Sequence, residues 1–153
     1  MKKFFILLPI FILAFAITHA QSTGNNYDSV LAKKLNADDY GMKHYVFVIL
    51  KTGSNTSENK EAIDSAFSGH MKNIQRLADN NKLVVAGPFG KNNNNFRGLF
   101  ILNTNSIDEA KSLLETDPAI KAKYLEPELY LWYGSAALQE TLQIHEKVQK
   151  LHF

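Results

Sequence analysis

His44-Tyr45-Val46-Phe47-Val48-Ile49-Leu50-Lys51 decides the fold. The run is rich in β-branched and aromatic residues and holds no Gly or Pro, so it reads as a strand. Its apolar residues do not alternate with polar ones. Tyr45, Phe47 and Ile49 fall on one face and Val46, Val48 and Leu50 on the other. A strand apolar on both faces must be covered on both.

Outward from this strand, residues 52–59 form a loop of Thr, Gly, Ser and Asn. A helix is expected over residues 60–80, because Ile63, Phe67, His70, Ile74 and Leu77 recur at helical spacing while Lys72, Gln75, Arg76 and Asp79 point elsewhere. Asn80 and Asn81 end it, since Asn tolerates the left-handed conformation. Residues 83–86 and 97–103 read as an antiparallel hairpin with an Asn-rich tip. Ser106 and Glu109 form a capping box that opens a second helix, which Pro118 stops near Thr116. A short turn is expected at residues 119–123, and residues 125–133 give the last strand.

The order strand, helix, strand, strand, helix, strand is the ferredoxin-like α+β pattern, an antiparallel sheet with both helices on one face. The other face then needs a cover. A homodimer packed sheet against sheet supplies one, and the C-terminal segment supplies another; the dimer is the preferred reading.

The termini read differently from the middle. Lys2 and Lys3, an apolar stretch from Phe4 to Ile17, and Thr18-His19-Ala20 have the order of a secretory signal, with cleavage expected between Ala20 and Gln21. The apolar stretch is shorter than the roughly 20 residues of a spanning helix, so no membrane span is expected after cleavage. The chain thus divides into a signal at 1–20, a mobile polar leader at 21–42 with one helical turn near Ser29, a domain at 43–134 and a helical tail at 135–153. Export, periplasmic or extracellular, is the expected destination. The tail places Leu138, Leu142, His145, Val148 or Gln149, and His152 on one side.

The formal net charge of +2 belongs to Lys2 and Lys3, so the remainder is close to neutral and offers no nucleic-acid footprint. There is no Cys, which excludes thiol catalysis, disulfides and Cys-ligated metal. His44, His145 and His152 lack further ligands at metal spacing, and no metal or cofactor is expected.

His70 stands out because it occupies an apolar stripe. A neutral imidazole there needs a hydrogen-bond partner or costs a few kcal/mol of desolvation. Asp117 ends the second helix beside the stiff Pro118 and is the candidate partner. By holding one ring nitrogen it would leave the other free as a base. A second reading stays open, in which His70 is a structural core residue and Asp117 only terminates a helix. Gly87, Pro88 and Phe89 at a strand exit could wall a pocket, Arg97 could bind an anion, and Trp132 marks a binding or interface surface.

Several stretches, in order, resemble the YCII-related (YciI-like) domain family. They are Tyr45 to Lys51, Gly69-His70-Met71, Lys82 to Phe89, Arg97 to Ile101, Asp108-Glu109-Ala110, Thr116-Asp117-Pro118-Ala119 and Trp132-Tyr133-Gly134. The resemblance implies a dimeric α+β barrel of ferredoxin-like units. It also implies a catalytic His and Asp at His70 and Asp117. A relative is a dechlorinating enzyme acting on a hydroxylated aromatic ring. By that resemblance the chain is an acid/base enzyme, lyase-like, on a small aromatic or carbonyl substrate. The alternatives are a small-molecule binding module and a dimeric scaffold. The signal, leader, tail and the Lys121-Ala122-Lys123 segment depart from the family pattern.

Overall fold

A computed structural model describes residues 26–151. Its central strand, β1 (Met42–Thr52), pairs antiparallel with β3 (Phe96–Leu102) on one edge and with β4 (Leu125–Ser135) on the other. β2 (Leu83–Pro88) pairs with β3, giving the sheet order β2-β3-β1-β4. With α2 (Lys60–Asp79) after β1 and α3 (Ile107–Leu114) after β3, this is the ferredoxin-like arrangement. The signal and its cleavage point lie outside the described residues, as does His152.

The helix ends follow from their caps. The Asn59 side chain accepts from Ala62 N–H at 2.9 Å to start α2, and Asn81, at φ +55°, turns the chain out of it. The Ser106 hydroxyl accepts from Glu109 N–H at 3.2 Å to start α3. The capping box is only half made. The Glu109 carboxylate instead accepts from Lys82 at 2.9 Å and from the Thr104 hydroxyl at 2.6 Å, and a charge-assisted partner outcompetes a neutral backbone N–H. A four-residue turn, α4 (Pro118–Lys121), follows α3 with Asp117 as its cap.

Alternation along β1 divides the core. Val46, Val48 and Leu50 face the helices and pack with Leu77, Phe100, Leu102 and Leu114. Tyr45 faces the other way and packs with Val84 and Ile101, flanked by Phe47, Val85, Leu99 and Leu138. Leu138 belongs to a 3₁₀ segment, Ala136–Glu140, so the tail covers the Tyr45 end of this second face. The rest of that face is less protected: Tyr130 and Trp132 are exposed, and Phe47, Ile49 and Leu99 are half-buried. Within one chain the tail is a partial cover.

The folded unit reaches past residues 43–134 at both ends. From α1 (Ser29–Lys34) onward the leader is held rather than mobile. Leu35 is buried, its carbonyl accepts from Gln139 Nε2 at 2.7 Å, and Lys34 pairs with Glu140 at 3.0 Å. Ala136 N–H donates to the Gly41 carbonyl at 2.9 Å, and the Tyr133 hydroxyl donates to Asp38. Residues 34–41 and 133–140 are thus tied together at one end of the sheet. The tail is the 3₁₀ segment followed by a short helix, α5 (Thr141–Val148), on which Ile144 and Val148 are exposed. Among the described residues no helix is long and apolar enough to cross a membrane.

Candidate active site

α2 turns one line of side chains inward: Ala66, His70, Asn73 and Leu77. Two of the four are polar. Opposite them, the chain leaves α3 and starts α4 at Asp117, whose Oδ1 accepts from Ala119 N–H at 3.0 Å and Ile120 N–H at 3.3 Å. Pro118 at the first helical position fixes the backbone there without wasting a donor. Close approach of the two elements depends on Gly69. A Cβ at that position would sit 2.6 Å from Pro118 Cγ, so only glycine lets α2 lie against the ring.

That approach brings His70 Nδ1 to 2.7 Å from Asp117 Oδ2. Asn73 Nδ2 donates to the same oxygen at 3.2 Å. The carboxylate is fully buried. Burial alone would push its pKa up, but the His70 hydrogen bond and charge, the Asn73 amide and the Ile120 N–H outweigh it and hold the pKa below the ordinary value. An ionised Asp117 accepts only, so Nδ1 carries the proton and donates. The imidazole stacks on Phe100, with centroids 5.8 Å apart and planes at 20°, and meets Phe67 edge-on at 6.1 Å. These rings fix its plane.

The second ring nitrogen, Nε2, bonds to no group among the described residues. No buried side-chain nitrogen or oxygen there lacks a partner, so Nε2 lies on the small part of the residue, 9% overall, that water reaches. The sheet beside the ring is open. Ala86 is the cross-strand neighbour of Phe100 and Pro88 of Gly98, both on the helix side, and both are exposed.

The other residues singled out in the sequence do not all join this site. Phe89 packs against Phe96 at the hairpin tip, with ring centroids 5.9 Å apart and planes tilted at 43°. Gly87 pairs with Leu99 and so belongs to the far face of the sheet. Strand alternation from Phe100 and Gly98 puts Arg97 on the far face too, where it is exposed. Trp132 lies there with Tyr45 at 5.9 Å and Phe47 at 6.3 Å. Within one chain neither Arg97 nor Trp132 meets His70. Two surface clefts, one against Ser65, Gly69, Lys72 and Pro118 and one against Lys34, Asn81, Asn103 and Gln139, are not lined by His70. Among the described residues no three His, Asp or Glu side chains are grouped as a metal site requires. Asn73, with Arg76 and Thr116 behind it, was missed by apolar patterning. The available signal was its spacing, three residues after His70 and hence on the same helical face.

The YCII-related domain family matches residues 45–130. Comparison with curated proteins found no match. Among solved structures, 5-chloro-2-hydroxyhydroquinone dehydrochlorinase from Burkholderia phenoliruptrix AC1100, in complex with 2,5-dihydroxybenzoquinone, is similar at 24% identity. That likeness covers 57% of this chain and 92% of that one, with a TM-score of 0.40.

Two consequences of this geometry are measurable. In an unobstructed helix, Gly→Ala stabilises by about 1 kcal/mol. Gly69→Ala is expected to destabilise instead, by about 1–3 kcal/mol in denaturant unfolding, because the new methyl meets the stiff Pro118 ring. The second concerns acid. Because folding lowers the Asp117 pKa, its ionised form stabilises the fold above the unfolded value of about 3.9, and this contribution is lost as pH falls through the lower folded value. Asp117→Asn should therefore be less stable than wild type by about 1–3 kcal/mol at neutral pH. That gap should close only at pH values below the ordinary carboxylate range.

Proposed function

The chain belongs to the YCII-related domain family, and from that premise we propose that it is an acid/base enzyme in which His70 moves the proton and Asp117 orients it. One observation carries the reading: a buried carboxylate holds Nδ1 at 2.7 Å while Nε2 stays unbonded beside an open stretch of sheet. Nε2 would take a proton from a carbon or hydroxyl of the substrate. The released electron pair forms a new double bond as a leaving group departs with its own pair. The imidazolium so formed is stabilised by Asp117 and returns its proton to solvent or product. The substrate class is a small aromatic or carbonyl compound, and the reaction is lyase-like elimination.

The test is proton exchange and elimination on a panel of halogenated hydroquinones, phenols and β-dicarbonyls in D₂O, read by NMR. Wild type is expected to turn over at least one of them. Loss of general acid/base catalysis should slow His70→Ala and Asp117→Asn by about 10²–10⁴-fold with the fold retained. Unchanged turnover in both variants contradicts the proposal.

A non-catalytic scaffold is favoured by one specific observation: the ring is packed between Phe67 and Phe100, and neither surface cleft contains it. On that reading no phenol from the same panel raises the melting temperature and no product forms.

The second sheet face supports a homodimer, because Tyr130 and Trp132 are exposed beside half-buried Phe47 and Ile49. The N-terminal sequence supports export. Protein recovered from outside the cytoplasm of an expressing cell should begin at Gln21 by intact mass and sediment as two copies. A chain that retains Met1, or one that sediments as a single copy, overturns the corresponding half.

A further inference from the structure

The structure assigns Asn73 as a positioning residue for Asp117, set in orientation by Arg76; the assignment rests on the His70–Asp117 reading above and adds a third group to it. Asn73 is 6% exposed and lies one turn beyond His70 on the buried line of α2. Its Oδ1 accepts from Arg76 Nε at 3.2 Å and Nη2 at 2.8 Å. Arg76 Nη2 also donates to the Thr116 hydroxyl at 2.7 Å, and that hydroxyl lies 3.0 Å from Asn73 Oδ1 and 2.6 Å from the Leu113 carbonyl.

The charges allow only one orientation of this amide. A guanidinium has donors and no acceptor, and an ionised carboxylate has acceptors and no donor. An amide between them must turn its oxygen to Arg76 and its NH₂ to Asp117. The reverse would set NH₂ against N–H and oxygen against oxygen, two repulsions at once. The amide therefore carries the influence of a partly exposed cation inward to a fully buried anion.

For the carboxylate the consequence is geometric. Oδ1 is held by two backbone N–H groups, and Oδ2 by His70 and Asn73. Together the four donors hold the group in one orientation, with Oδ2 aimed at His70 Nδ1. Without the Asn73 donor, Oδ2 has an unfilled lone pair and the carboxylate can turn toward water or toward another donor. The bond that keeps the proton on Nδ1 then weakens, and the Nε2–H tautomer gains population. A residue that merely filled space would change stability and leave the tautomer alone.

The test needs no substrate. Two-bond ¹H–¹⁵N spectra of the histidine rings, assigned to His70 by comparison with His70→Ala, read the tautomer above the pH of imidazole protonation. Wild type should show Nδ1–H. Asn73→Ala should shift the ratio toward Nε2–H by about tenfold, the size expected for losing one charge-assisted hydrogen bond. Arg76→Gln, which keeps Asn73 but frees its amide to flip, should shift it in the same direction, and it decides the matter if Asn73→Ala fails to fold. Asn73→Gln, which retains the donor on a longer stem, should recover part of the wild-type ratio. Folded variants with the wild-type ratio overturn the role of Asn73 and leave the pair intact. Nε2–H in the wild type overturns the pair itself.

Discussion

A carboxylate that water cannot reach has to be satisfied by the protein, and in this molecule Asp117 is satisfied completely. Two backbone N–H groups at the start of α4, one imidazole and one amide each give it a hydrogen bond. An unpaired buried charge would cost several kcal/mol, so the requirement acts on everything nearby. It sets the cap of the short helix, the tautomer of His70, the side-chain orientation of Asn73 and the glycine that lets the two elements touch. Of the side chains that bond to Asp117, His70 keeps one ring nitrogen, Nε2, with no hydrogen-bond partner among the described residues.

The fold supplies the approach. In a ferredoxin-like unit both helices lie on one side of the sheet, so the inward line of the first can face the end of the second. His70 rests on Phe100 from the central part of the sheet, and Phe67 closes its edge. Rings on two sides and a carboxylate behind leave the imidazole little exposed, with solvent access confined to the small part of the residue that carries Nε2. The other sheet face has a separate task. There the tail caps the Tyr45 end, and the clasp of Leu35 with Gln139 and of Lys34 with Glu140 ties the segment before β1 to the segment after β4.

Much of this is legible in the sequence. Strand β1 announced a two-faced sheet because no polar residue interrupts Tyr45 to Leu50. Element order then gave the topology, and His70 announced itself by standing where an apolar residue belonged. Asn73 escaped because hydrophobic patterning passes over a polar residue on a buried line. Arg76 reads as solvated for the same reason, although its guanidinium turns back to Asn73. The faces of Arg97 and Trp132 depend on strand parity, which loose boundaries leave open by one residue. The leader looked mobile because its composition is polar. What holds it is contact with a tail about a hundred positions away, and no local pattern encodes that.

The roles of His70 and Asp117 depend on where their shared proton sits, and a neutron structure of the deuterated protein sees it directly. The expected result is a deuteron on His70 Nδ1, lying between that atom and Asp117 Oδ2, none on the carboxylate, and a bare Nε2 facing solvent. A deuteron on Nε2 with Nδ1 bare, or one residing on Asp117, would contradict it.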